Sequence, residues 1–232
     1  MNKPTSAIMQ LLITICAIAI VTAAHFYWRA IRIDTPERVL PVYCVTWCLF
    51  VLCGYLILLR AGRHSYQRHH RLGSVTLFLA STVWGTFFAI PSLYSPSNWA
   101  WSWSDGVSVS FNVRLLSGLF VAIGLLGIVA SFAWLGISRS MGQESNILRT
   151  AGAYRYTRNP QMVGVLSIVI GYTILRPTWY AAGWIILFII LAHLMIAAEE
   201  EHLNRIFGKD YESYCTRTPR YVGWLGPGKG SG

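Results

Sequence analysis

The sequence is short of charge. Asp, Glu, Lys and Arg make up 12% of its 232 residues, about half the share a soluble domain carries. With 54% hydrophobic residues and a mean hydropathy of +0.47, too few ions remain to solvate a globular surface. Lipid is therefore the expected solvent for much of the chain. Paired cysteines are also lacking. The five lie at 16, 44, 48, 53 and 215, with no Cys-x-x-Cys spacing, which leaves neither a disulfide framework nor a zinc site to propose. No metal is expected. Glycine-rich phosphate cradles are missing too: there is no GxGxxG after a strand and no P-loop.

The net charge of +10 would suit nucleic acid if the basic residues clustered. They lie instead between apolar runs, as in cytoplasmic loops facing anionic lipid, and no nucleic-acid partner is expected. His64, His69 and His70 share one such basic stretch with Arg63, Arg68 and Arg71. It reads as a loop at lipid headgroups.

A membrane span needs about 20 apolar residues. Six runs qualify or nearly do: Ile8–Trp28, Val39–Leu59, Leu72–Tyr94, Leu115–Ile137, Met162–Leu175 and Thr178–Ala198. The fifth has only 14 residues. Because Arg176-Pro177 and another apolar run follow it at once, a tight helical hairpin is the simplest reading. The first run has a single Lys before it and ends in Phe26-Tyr27-Trp28, which favours a retained helix over a signal peptide. With the N-terminus inside, the inner segments hold 14 of the 19 basic residues and the outer segments five. The positive-inside rule then places both termini in the cytoplasm. Trp99, Trp101 and Trp103 fall in the outer loop as an interfacial belt. Gly118, Gly124, Gly127 and Gly136, with Ser117 and Ser131, give the fourth span the small residues that let helix backbones approach in lipid.

The expected fold is thus all-α: a polytopic integral membrane protein of about six transmembrane helices, with a C-terminal helical hairpin and a cytoplasmic C-terminal helix. Residues 1–112 would supply three spans, 113–225 a catalytic core, and 226–232 a flexible tail.

Polar chemistry concentrates in two segments flanking the hairpin. Asn159-Pro160 before an apolar run is a helix start, since Asn caps backbone N–H groups and Pro suits the first turn. That helix N-terminus would favour an anion. Glu199-Glu200-Glu201 is expected to end the next apolar helix, at the end of the dipole unfavourable for negative charge. Nearby arginines or a cationic ligand should compensate. His193 shares a face with Glu200, and Glu199 neighbours His202 one turn on.

These segments resemble the isoprenylcysteine carboxyl methyltransferase and phospholipid methyltransferase superfamily, as a bacterial-type member. Gly152, Tyr154, Arg158, Asn159, Pro160 and Gly164 fit its first motif. Glu199 or Glu200, Leu203, Phe207, Gly208, Tyr211, Tyr214, Pro219 and Arg220 fit the second. The resemblance implies an enzyme of the bacterial inner membrane that uses S-adenosylmethionine. It implies a cofactor pocket of Asn146, Ile147, Leu148, Tyr154, Arg158, Asn159, Pro160, Gln161, Met162 and Glu199, with Glu200 as a near alternative. The methyl acceptor would be hydrophobic or lipidic, and His193 and Met195 would face it. Met195 stands where the prenylcysteine enzymes place a substrate-binding arginine, which argues against prenylcysteine. No general base is assigned, because an ionised acceptor needs none. Two other readings stay open: an NADPH-dependent reductase on the same scaffold, and a non-catalytic membrane binding or transport protein. Oligomeric state is not legible.

Overall fold

A computed structural model describes residues 36–94, 110–135, 148, 150–175 and 179–222. The run at 8–28, the tryptophans of the outer loop, Asn146, Ile147 and the tail lie outside these residues. Among the described residues the structure is helical throughout, with six helices.

Helix α1 begins at Pro36–Cys53, widens into a π-helical stretch at Gly54–Ala61 and continues as Gly62–His69. Helices α2 (Ser74–Tyr94), α3 (Phe111–Leu135), α4 (Pro160–Leu175), α5 (Trp179–Phe207) and α6 (Lys209–Arg217) follow. Three stretches are long and apolar enough to cross a membrane: Tyr43–His69, Phe111–Trp134 and Ala181–Phe207. The apolar helices Ser74–Phe88 and Pro160–Leu175 are shorter.

Two expectations need correction. The histidine-rich stretch is not a loop. Helix α1 carries through it to His69 and ends at His70, whose φ of 54° is left-handed. Ser65 secures that end: its Oγ donates to the Arg71 carbonyl at 3.0 Å and accepts from the Gly73 N–H at 2.7 Å. Likewise Glu199–Glu201 do not end their helix. Helix α5 runs on to Phe207, so the three carboxylates lie more than a turn from its terminus, where the dipole penalty is small.

The core forms where α2 meets α5. Phe87 is fully buried, stacks on Trp184 with ring centroids 5.2 Å apart and contacts Phe188 and Trp84. The Trp184 indole N–H donates to the Phe87 carbonyl at 3.3 Å, which satisfies the polar end of a large buried ring. Gly54 of α1 fits against Leu191 of α5.

The most extensive helix pairing joins α3 to α4. It is a small-residue interface, as expected. A Cβ on Gly164 would lie 2.7 Å from the Gly124 carbonyl oxygen, and one on Gly124 would strike the Gly164 carbonyl in turn. Ser117 Oγ donates to the Gly171 carbonyl at 2.6 Å, and Ser167 Oγ to the Phe120 carbonyl at 2.7 Å. Close backbones and interhelical hydroxyl bonds hold helices together where lipid removes the hydrophobic drive. The outer faces agree with that solvent: Val45, Leu49, Leu119, Ile123, Leu126 and Val129 are all at least half exposed.

Candidate active site

The chain returns to one end of the bundle three times. The first visit runs from the single 3-10 turn Gly152–Arg155 through Asn159 to α4. Gly152 starts it with φ +64°, packed so closely against the Trp134 indole that a Cβ would sit 2.6 Å from the ring. Backbone conformation and space both demand glycine there. The second visit is the Glu199–His202 stretch of α5. The third is α6 and the segment after it, through Tyr221.

Three consecutive glutamates meet three different fates. Glu201 pairs with Arg63 at 2.7 Å and Arg205 at 3.0 Å, and all three side chains are well exposed. Glu200 is nearly buried and receives two arginines. Arg158 Nη1 lies 3.1 Å from Oε1; Arg220 donates Nε to Oε1 at 3.1 Å and Nη2 to Oε2. Glu199 has no ion pair or side-chain hydrogen bond among the described residues. The compensation expected for the triplet is therefore supplied by arginine for two members and not for the third.

Tyr154 faces the uncompensated member. Burial raises its phenol above the usual range, and the Glu199 charge, then Tyr214, push it further. The Tyr214 hydroxyl donates to the Tyr154 carbonyl at 2.6 Å, tying α6 to the 3-10 turn. Burial is also the main cause of the raised phenols of Tyr211 and Tyr214. His202 is buried on the other side of the triplet and stacks on Tyr66 of α1, with centroids 4.3 Å apart.

The other expected pocket residues fall nearby. Pro160 is buried at the start of α4, while Gln161, Met162 and Leu148 are partly buried. Gln161 Nε2 is a buried donor without an acceptor, which carries a desolvation cost that a bound acceptor group would remove. The Asn159 carbonyl accepts from the Val163 N–H to open α4, and its side-chain amide donates to the Arg220 carbonyl at 3.0 Å. Arg158 is engaged by Glu200 and also lies 2.6 Å from Cys215 Sγ.

The two acceptor candidates lie further along α5. Met195 Sδ accepts the Trp84 indole N–H at 3.3 Å. His193 is exposed on the same helix, with Nδ1 3.2 Å from the Tyr221 hydroxyl. Sequence reasoning gave no role to Arg220, Tyr221 or Cys215. Only the Pro-Arg pair at 219–220 signalled that this segment comes back to the site.

Residues 113–210 match the phospholipid methyltransferase family. Over these residues the chain is similar to that family. Its members are methyltransferases that use S-adenosylmethionine. Neither the curated proteins nor the solved structures give a match to the chain. The matched residues take in α3, α4, α5 and the Glu199–Glu201 triplet, but stop short of Pro219–Tyr221. The site chemistry of the matched segment suits that cofactor. S-adenosylmethionine carries cationic groups, hydroxyls and a carboxylate. Glu199 offers an unpaired acceptor, and Gln161 offers a buried donor lacking an acceptor. Both polarities that such a zwitterion requires are present at one end of the bundle.

Proposed function

We propose that the protein is an integral membrane methyltransferase of six spans with both termini cytoplasmic, acting on a hydrophobic or lipid-borne acceptor other than prenylcysteine. The observation that carries the site assignment is the division of labour in the glutamate triplet. Glu200 and Glu201 are charge-paired within the protein, while Glu199, beside Tyr154, is left for a ligand.

Leu148, Tyr154, Asn159–Met162 and Glu199 would hold the cofactor, together with Asn146 and Ile147 outside the described residues. When bound, S-adenosylmethionine supplies an electrophilic methyl group on a sulfonium. Glu199 holds a cationic or hydroxyl-bearing part of the ligand, and Gln161 donates to an acceptor atom. Tyr154 stays protonated, so it can pack on a ring and still donate. Glu200 is not available for the same role, because two arginines occupy both its oxygens. Methyl transfer needs alignment and exclusion of water more than proton transfer. Close packing of α4 and α5 around the site serves both needs. His193 and Met195, on α5 toward the apolar part of the helix, face the acceptor's route from the bilayer.

A reductase reading would need cations for the 2′-phosphate of NADPH. Among the described residues Arg155 points to solvent and Arg158 is committed to Glu200, so the site favours S-adenosylmethionine. Calorimetric titration of the purified protein, wild type and Glu199→Gln, tests the assignment. Loss of the charge should weaken S-adenosylmethionine at least ~tenfold, the scale of a hydrogen bond to a charged group. Equal affinity of the two proteins would remove Glu199 from the site.

A further inference from the structure

Residues Pro219–Tyr221 form a strap fastened across the site at five points. The Arg158 N–H donates to the Pro219 carbonyl at 2.9 Å. The Arg220 carbonyl accepts from Thr157 Oγ1 at 3.2 Å and from Asn159 Nδ2 at 3.0 Å. The Arg220 guanidinium grips Glu200 through both oxygens, and the Tyr221 hydroxyl reaches His193. One short segment thus touches the loop before α4, the end of α5 nearest the cofactor site, and the position two turns deeper on α5.

We infer that Arg220 is a positioning residue for methyl transfer. It aligns the bound cofactor with the acceptor by neutralising Glu200 and by fixing the strap between Asn159 and His193. This inference rests on the Glu199 reading above. Two adjacent carboxylates present a cationic ligand with two competing anchors. The Arg220 grip removes one of them, so the ligand's cation has a single place to sit. Arg158 alone cannot do this, because it reaches only one Glu200 oxygen. Side-chain exposures of 12% for Glu200 and 37% for Arg220 leave the pair partly shielded from solvent screening. The other end of the strap sets Tyr221 on His193. Without Arg220, a second anchor opens and the His193 end is released. The cofactor still binds, but in a mixture of orientations of which only one is productive.

The test compares Arg220→Ala and Arg220→Lys with wild type, reading S-adenosylmethionine Kd by calorimetry and kcat with a mixed bacterial phospholipid extract as acceptor. Arg205→Ala, which removes only an exposed partner of Glu201, is the control. Arg220→Ala should lower kcat at least ~tenfold, as for a misplaced reacting group, with the cofactor Kd within about threefold of wild type. Arg220→Lys keeps one charge on Glu200 and should regain part of kcat. If Arg220→Ala does not fold, the lysine variant carries the test: it should show a kcat deficit at normal Kd. A kcat within about threefold of wild type, or a Kd that rises in step with the fall in kcat, would overturn the inference. The Glu199 reading fails differently, by unchanged cofactor affinity in Glu199→Gln.

Discussion

Glu199 and Glu200 are neighbours on α5, yet only Glu200 is charge-paired: Arg158 and Arg220 close on it from two different segments, and no described cation meets Glu199. The contrast separates a structural carboxylate from a ligand-facing one within a single turn of helix.

Stability should report the difference between the paired glutamates. Glu200→Gln strands two guanidiniums, Arg158 largely buried and Arg220 more than a third exposed, so the cost falls below the about 3–5 kcal/mol of a fully buried pair and above that of an exposed one. Glu201→Gln breaks only exposed pairs, which contribute about 0–1 kcal/mol. Thermal melts in one detergent should show a large drop in Tm for the first and almost none for the second. Equal shifts would mean that the Glu200 cluster is solvated.

Gly124 and Gly118 are on the same helix and should respond oppositely to alanine. At Gly124 a Cβ meets the Gly164 carbonyl, whereas at Gly118 nothing lies within 4 Å. Overpacking at Gly124 should cost about 1–3 kcal/mol. Gly118→Ala should be neutral or stabilise by up to about 1 kcal/mol. A tolerated Gly124→Ala would show that α3 and α4 do not meet as closely as the Gly124–Gly164 contact requires.

Alkaline pH should act on Tyr154, Tyr211 and Tyr214 late. Burial raises all three phenols, so the folded protein keeps protons that the unfolded chain releases near pH ~10. The stability they contribute is whole below that pH and is lost as pH rises through the folded values. Tyrosinate absorbance should therefore rise in two phases, the later one accompanied by loss of structure. Phe at all three positions should shrink the later phase; shrinkage of the early phase instead would show that these phenols are solvated.

Met195 bears on the acceptor. Its sulfur accepts from Trp84, so the side chain is anchored to α2 and offers no charge to a substrate carboxylate. A farnesylcysteine analogue should give no methylation above background. Robust turnover would contradict the exclusion of prenylcysteine.

How much of this was legible beforehand depends on the range of the interaction involved. Apolar runs place helices, and the small residues of α3 announced a close helix contact without naming its partner, because both signals are local. The helix start at Asn159-Pro160 and the Glu triplet stood out for the same reason. What could not be read was which charge meets which. Arg158 and Glu200 are 42 positions apart and Arg220 is 20 beyond Glu200, and nothing local says that two arginines choose Glu200 over Glu199. The extension of α1 through a histidine-rich stretch was also hidden, since its polar composition imitates a loop. Its helicity depends on packing such as Tyr66 on His202.

The central claim is that the site holds S-adenosylmethionine at Glu199. Calorimetric titration of the purified wild-type protein with S-adenosylmethionine and with NADPH tests it most directly. Saturable binding of S-adenosylmethionine and none of NADPH is the expected result. Binding of NADPH alone, or of neither compound, would contradict it.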